Sequence, residues 1–211
     1  MIAYLSRALK RTVTRGPLDT ARYSFHVVRN AVASTYIDLR YGGALSRDRL
    51  HINDHRPNFN PLMHTDWRVL RDVFQHVPIT AADVLVDVGC GDGRVINFWL
   101  SQGLRNRIVG IEIDPATAEN AARRYARYRN VQIICGDAAD VAVTTGGTIF
   151  YMYNSFVGEP LQRFADAIRD SGAVLVLYNF TDMAPFADRP VRVIRSDRDE
   201  LQYRAAVIST R

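Results

Sequence analysis

The sequence predicts an α/β fold: a doubly wound, mostly parallel seven-stranded sheet with a C-terminal antiparallel hairpin and an N-terminal helical extension. Three observations carry this. From Val84 onward, short apolar runs alternate with helical stretches, the pattern of a parallel sheet covered on both faces. The first run, "VLVDV", opens into a loop holding Gly89, Gly91 and Gly93. The last stretch, "VRVIRSDRDELQYRAAVI", reads as two strands joined by a polar turn.

The elements follow in order. Residues 1–40 read as two helical pieces broken near Gly16–Pro17. Tyr41–Pro61 is rich in turn formers and reads as a long loop. Thr65 or Asp66 can cap a helix bearing Trp67, Leu70, Val73 and Phe74 on one face, which Pro78 ends. Val84–Val88 is the first buried strand, and "RVINFWLSQG" a helix closed by Gly103. "RIVGIEI" is the second strand, after which Asp114–Pro115 supplies an N-cap and a proline at the first helical position. "VQIIC" and "TIFYMY" are the third and fourth strands. Pro160 opens a helix with Leu161, Phe164, Ala165 and Ile168 at i, i+3, i+4 and i+7. "AVLVLYNF" is the fifth strand. The expected organisation is a basic helical extension and loop over residues 1–60 and a single α/β domain over residues 61–211.

Composition sets the bounds. The chain has 211 residues, enough for one domain with a proper core, and no apolar run approaches the ~20 residues that span a bilayer. The N-terminus breaks its apolar stretch too early for a secretory signal, so a cytoplasmic protein is expected. Cys90 and Cys135 are the only cysteines, too few for a disulfide framework or a structural zinc site. Residues 1–40 hold seven basic and two acidic residues and so carry the whole net charge of +5. Such an arm suits an acidic partner, although its spread-out residues read equally well as a solvated helix.

In an open parallel sheet, ligands bind beyond the carboxyl ends of the strands. Gly89, Gly91 and Gly93 let the backbone turn there with no Cβ in the way, and the next helix presents free N–H groups. The loop reads G-x-G-x-G with Asp92 inside, not the G-x-G-x-x-G of dinucleotide sites. A carboxylate there would repel a pyrophosphate and suits an ammonium-bearing ligand.

"VDVGCGDGRV", "GIEIDP" and "CGDA", taken together, resemble the motif series of class I S-adenosylmethionine-dependent methyltransferases over roughly residues 60–211. The resemblance implies S-adenosylmethionine as cofactor. It implies that Asp87, Gly89, Cys90, Gly91 and Asp92 surround the methionine part and that Glu112 accepts hydrogen bonds from both ribose hydroxyls. By the same resemblance Ile113 packs on the adenine, Asp137 bonds its amino group and Ala138 offers a backbone N–H. Taken on their own residues, Asp87 could instead satisfy loop N–H groups, Asp137 could cap a turn, and Cys90 reads as a small packing residue.

The acceptor side is expected after the fourth strand, at Tyr153, Asn154 and Phe156. An Asn oxygen or a backbone carbonyl there can orient an amine lone pair, and Phe156 can wall the substrate. "YNSF" is similar to segments of non-SET, seven-strand lysine methyltransferases and their bacterial relatives. "YIDLRYGG" and "NFNPLMHTDWRVLR" resemble the N-terminal part of those relatives, which lids the cofactor, so Thr65 and Trp67 are candidates for the methionine end. The methyl acceptor, a protein or a small molecule, is not specified.

Two alternatives stay open. His55 or His64 could serve as base for a hydroxyl acceptor. The chain could also bind cofactor without catalysis, or be an oxidoreductase. His51, Asp54 and His55 lack a second cluster to complete a metal site, so no metal is expected.

Overall fold

The computed structural model describes residues 13, 16–42, 57–198 and 201–210. The chain divides into two compact units, Met1–Ile37 and Asp38–Arg211. In the first, α1 spans Pro17–Tyr41 and runs on into the second; Pro17 sits where its fixed φ suits a helix start. Arg7, Lys10, Arg11 and Arg15 of the basic arm lie outside the described residues.

The second unit continues with α2 (Trp67–Phe74), β1 (Val84–Val88), α3 (Arg94–Ser101), β2 (Arg107–Glu112) and α4 (Pro115–Tyr125). After these come β3 (Val131–Cys135), the one-turn helix α5 (Ala138–Val141), β4 (Ile149–Tyr153) and α6 (Glu159–Ala167). β5 (Val174–Tyr178), β6 (Val191–Arg198) and β7 (Leu201–Ser209) complete it. The sheet has seven strands in the order β3-β2-β1-β4-β5-β7-β6. β1 to β5 pair in parallel, whereas β7 runs antiparallel to both β5 and β6.

The start and stop signals act as expected at most helices. Asp66 caps α2, accepting from the Arg68 N–H at 2.8 Å, and Asp114 caps α4, accepting from the Thr117 N–H at 2.8 Å. One boundary differs: α2 ends at Phe74 with Gln75 as its cap, short of Pro78. Two-residue alternation sorts β1 and β4. Val86, Val88, Phe150 and Met152 belong to the core cluster with Phe164 and Leu161 of α6. Leu85, Asp87 and Tyr151 alternate with them on the opposite face, and the Tyr151 ring lies 5.9 Å from Phe74 of α2. No helix among the described residues is long and apolar enough to cross a membrane.

The strand order reverses between β1 and β4. Loops leaving their carboxyl ends diverge there and open a crevice.

Candidate active site

The crevice at that reversal is a cleft lined by the ends of four parallel strands. Asp87, Gly89 and Cys90 come from β1 and its loop, Glu112 and Ile113 from β2, and Gly136 and Ala138 from the turn after β3. Tyr151, Tyr153, Ser155 and Phe156 come from β4 and its loop. Phe59 to Thr65 cross the cleft as a cover. An antiparallel bridge between Phe59 and Phe156 pins that cover. The Val157 N–H donates to the Asn58 carbonyl at 2.8 Å, and the Asn60 N–H to the Ser155 carbonyl at 2.9 Å.

The glycine loop is shaped from within. Gly91 has φ 52, in the left-handed region that glycine enters freely, and a Cβ on it would lie 2.5 Å from Leu62 Cδ1 of the cover. Gly93 has φ 86, and a Cβ there would run into the Tyr125 ring. The N–H groups of Gly89 and Cys90 both donate to the Ile111 carbonyl at 2.9 Å, tying the loop to the end of β2. Glu112 completes the tie: one carboxylate oxygen accepts from the Gly91 N–H and the other from the Asp114 N–H, each at 2.9 Å.

The cleft is acidic at its inner end. Asp87 is buried, and its Oδ2 has no hydrogen-bond partner. Burial, reinforced by the Glu112 charge, holds its carboxyl well above the usual range. Burial also raises Glu112, against the two N–H donors that favour its charge. The Cys90 thiol is pushed up by burial and by Asp87 and Glu112, so it stays neutral at pH 7 and packs as an apolar group. Beside these, Thr65 Oγ1 shares a buried hydrogen bond of 2.8 Å with the Tyr151 hydroxyl.

An opposite charge stands at the cover side. Arg94, first residue of α3, lines the cleft and pairs with the buried Asp38 at 2.8 Å. One of its N–H groups donates to the Thr65 carbonyl at 3.3 Å, while its Nε is buried without a hydrogen-bond partner. Asn97 donates to Asp38 at 3.1 Å, and Tyr125 donates to Asn97 at 2.7 Å. This buried chain fastens Asp38 to the helix that leaves the glycine loop.

Of the residues singled out from the sequence, Asp87, Gly89, Cys90, Glu112, Ile113, Ala138, Thr65, Tyr153 and Phe156 line the cleft. Four stand beside it. Gly91 lies under Leu62. Asp92 is buried, 3.6 Å from His64 and 3.7 Å from Arg124. Asp137 caps α5 through the Ala139 N–H at 2.9 Å and meets Arg163 at 3.2 Å. Asn154 has φ 39, and its backbone carbonyl accepts from the Asn60 side chain. His64 lines the cleft, whereas His51, Asp54 and His55 lie outside the described residues.

Sequence reasoning missed Leu62, Arg94 and Tyr151. Arg94 had a signal, as the first residue after the glycine run. Tyr151 had one too, since two-residue alternation in "TIFYMY" places it on the Asp87 face. Leu62 had none.

Residues 85–176 match the model of a family described as "Methyltransferase domain". No curated protein sequence matches the chain. Among solved structures, an RNA methyltransferase from Salinibacter ruber in complex with S-adenosyl-L-homocysteine is 24% identical, with a TM-score of 0.56 over 70% of this chain and 94% of that one. A precorrin-6y C5,15-methyltransferase from Geobacter metallireducens GS-15 is 15% identical, with a TM-score of 0.53 over 75% and 94%. A SAM-dependent methyltransferase from Aquifex aeolicus is 13% identical, with a TM-score of 0.51 over 66% and 88%. The fold is the class I methyltransferase fold.

Proposed function

We propose that this chain is an S-adenosylmethionine-dependent methyltransferase that methylates an amine, either a protein lysine or a small-molecule amino group, in the cytoplasm; the match of residues 85–176 to a methyltransferase domain model and the methyltransferase fold support the reading.

The donor set fits the cofactor. An orphaned, buried Asp87 oxygen calls for a cationic donor, which a methionine ammonium provides. The unpartnered Arg94 Nε suits the carboxylate of the same zwitterion. Glu112 would accept from the ribose hydroxyls with the lone pairs its two backbone donors leave free. Ile113 and Ala138 would hold the adenine, and Asp137 would accept from its amino group. When bound, the cofactor supplies a methyl group activated by a positively charged sulfur.

The residues of the chain then bind, orient and exclude water. Leu62 and Phe59 cover the cleft, and Phe156 walls the acceptor. The observation that carries the amine reading is Asn154, held left-handed at φ 39 and clamped by Asn60 at the end of β4, between the lining residues Tyr153 and Phe156. Such backbone is costly for a residue with a Cβ and collects at functional sites. There, an amide or carbonyl oxygen accepts an N–H bond and aims the nitrogen lone pair at the methyl group.

The test is incubation of the full chain with radiolabelled cofactor and lysate of the source cell. Label in an amine is expected, and Asn154→Ala should abolish transfer while cofactor binding persists. Label confined to hydroxyl compounds would remove the reading. One observation favours that second reading: His64 lines the cleft and could take a hydroxyl proton. Loss of a histidine-like limb from the pH–rate profile of a His64→Ala variant would support it.

A further inference from the structure

The carboxyl ends of β4 and β5 repeat one another. Tyr153–Asn154 closes the first and Tyr178–Asn179 the second, and the two tyrosines are register partners in the parallel ladder. Both asparagines are left-handed, at φ 39 and φ 54. The chain therefore leaves two neighbouring strands by the same unusual bend, carrying the same pair of side chains.

The rings continue the pattern. Tyr153 lines the cleft, and its ring meets that of Tyr178 edge to face with centroids 4.5 Å apart. The Tyr178 ring meets Tyr203 of β7 at 6.4 Å, and the Tyr203 hydroxyl donates to Asp72 at 2.5 Å. A row of aromatic rings thus runs from the cleft across β5 to β7 and ends on a carboxylate. Tyr153 and Tyr178 are both half-buried. For core packing alone, aliphatic side chains at these strand ends would serve, as Met152 and Leu177 do one residue earlier.

We propose that Tyr178 is a specificity-determining residue that, with Tyr153, forms an aromatic port drawing an alkylammonium to the cleft, where it loses one proton to water and, as the neutral amine, becomes the methyl acceptor. The inference rests on the amine reading above and adds the chemistry by which the amine is chosen. An aromatic face attracts a cation by about 0.5–2 kcal/mol, whereas a neutral hydroxyl compound gains nothing comparable. Burial raises both phenols, so the rings act as neutral π faces. The charge of Asp66 also reaches Tyr178, which adds to the attraction for a cation.

The experiment uses the full chain saturated with S-adenosylhomocysteine, titrated with n-butylammonium chloride or n-butanol and followed by NMR. The wild type should bind the ammonium and not the alcohol. Tyr178→Ala should weaken ammonium binding about 3- to 30-fold, whereas Tyr178→Phe, which keeps the ring, should stay within about 2-fold. Unchanged affinity for S-adenosylhomocysteine shows that each variant is folded. Equal binding of the alcohol, or a Tyr178→Ala variant that binds ammonium as the wild type does, overturns the port. Transfer of label to an amine whose KM is unmoved by Tyr178→Ala overturns the port and leaves the amine reading standing. Label found only in hydroxyl compounds overturns both.

Discussion

Replacing Glu112 with alanine should damage the fold and the cofactor site together, because one carboxylate serves both. Its two oxygens accept from the Gly91 and Asp114 N–H groups at 2.9 Å. Hydrogen bonds to a charged group are worth about 1.5–3 kcal/mol each, so the pair amounts to about 3–6 kcal/mol. Burial opposes this by raising the Glu112 carboxyl, so the net loss belongs near the lower end, about 3 kcal/mol. For a chain of this size each kcal/mol moves Tm by about 2–4 °C, which gives a fall of about 6–12 °C in differential scanning calorimetry. Affinity for S-adenosylmethionine, measured by titration calorimetry, should fall about 100-fold or more, since two ribose hydroxyls also lose a charged acceptor. Glu112→Gln keeps one acceptor and turns an N–H against an N–H at the other, so it should lie between alanine and wild type in both measurements. A Glu112→Ala variant that melts with the wild type and binds cofactor with undiminished affinity would refute the reasoning.

Three further outcomes are expected. Asp38→Ala leaves the half-buried Arg94 without its counter-charge, which costs about 1–3 kcal/mol and should lower the urea midpoint with little change in slope; an unmoved midpoint counts against the pair. Gly91→Ala forces a Cβ into left-handed backbone at about 1–2 kcal/mol and drives it against Leu62, so the cover should seat poorly and cofactor affinity fall at least about 5-fold; unchanged binding would show that the cover is not seated on Gly91. Asp87 sets a pH dependence whose sign follows from its raised carboxyl. Below the unfolded pKa of about 4 both states are protonated and there is no penalty. Above it the unfolded chain ionises first, so the folded state loses stability until pH passes the folded value. Asp87→Asn should remove that decline from the stability profile. Cofactor binding to the wild type should also release protons, seen as heats that differ between buffers of unlike ionisation enthalpy; identical heats would contradict it.

The fold could be read from the residues because its physics is local. Runs such as Val84–Val88 and Ile149–Tyr153 are apolar and short, and Asp66 and Asp114 announce the helices that they cap. Glu112 could be found because a carboxylate that ends an apolar strand needs a reason. Leu62 could not, because its position follows from a bridge between Phe59 and Phe156, far apart in the chain. Arg94 could have been found from its place after the glycine run, but its pairing could not, because its partner Asp38 lies on another helix and declares nothing by its spacing. At Asp137 one side chain caps α5 and also stands next to the cleft, so sequence alone leaves both roles open.

The order of strands also bears on how the chain reaches this shape in the cell. β5 and β6 do not pair with each other; β7 lies between them and holds both. Until Leu201–Ser209 has left the ribosome, β6 has no neighbour and one flank of β5 stays bare. The nascent protein can build β1 to β5 as it emerges, but its sheet closes only when a late-made strand slides into the gap.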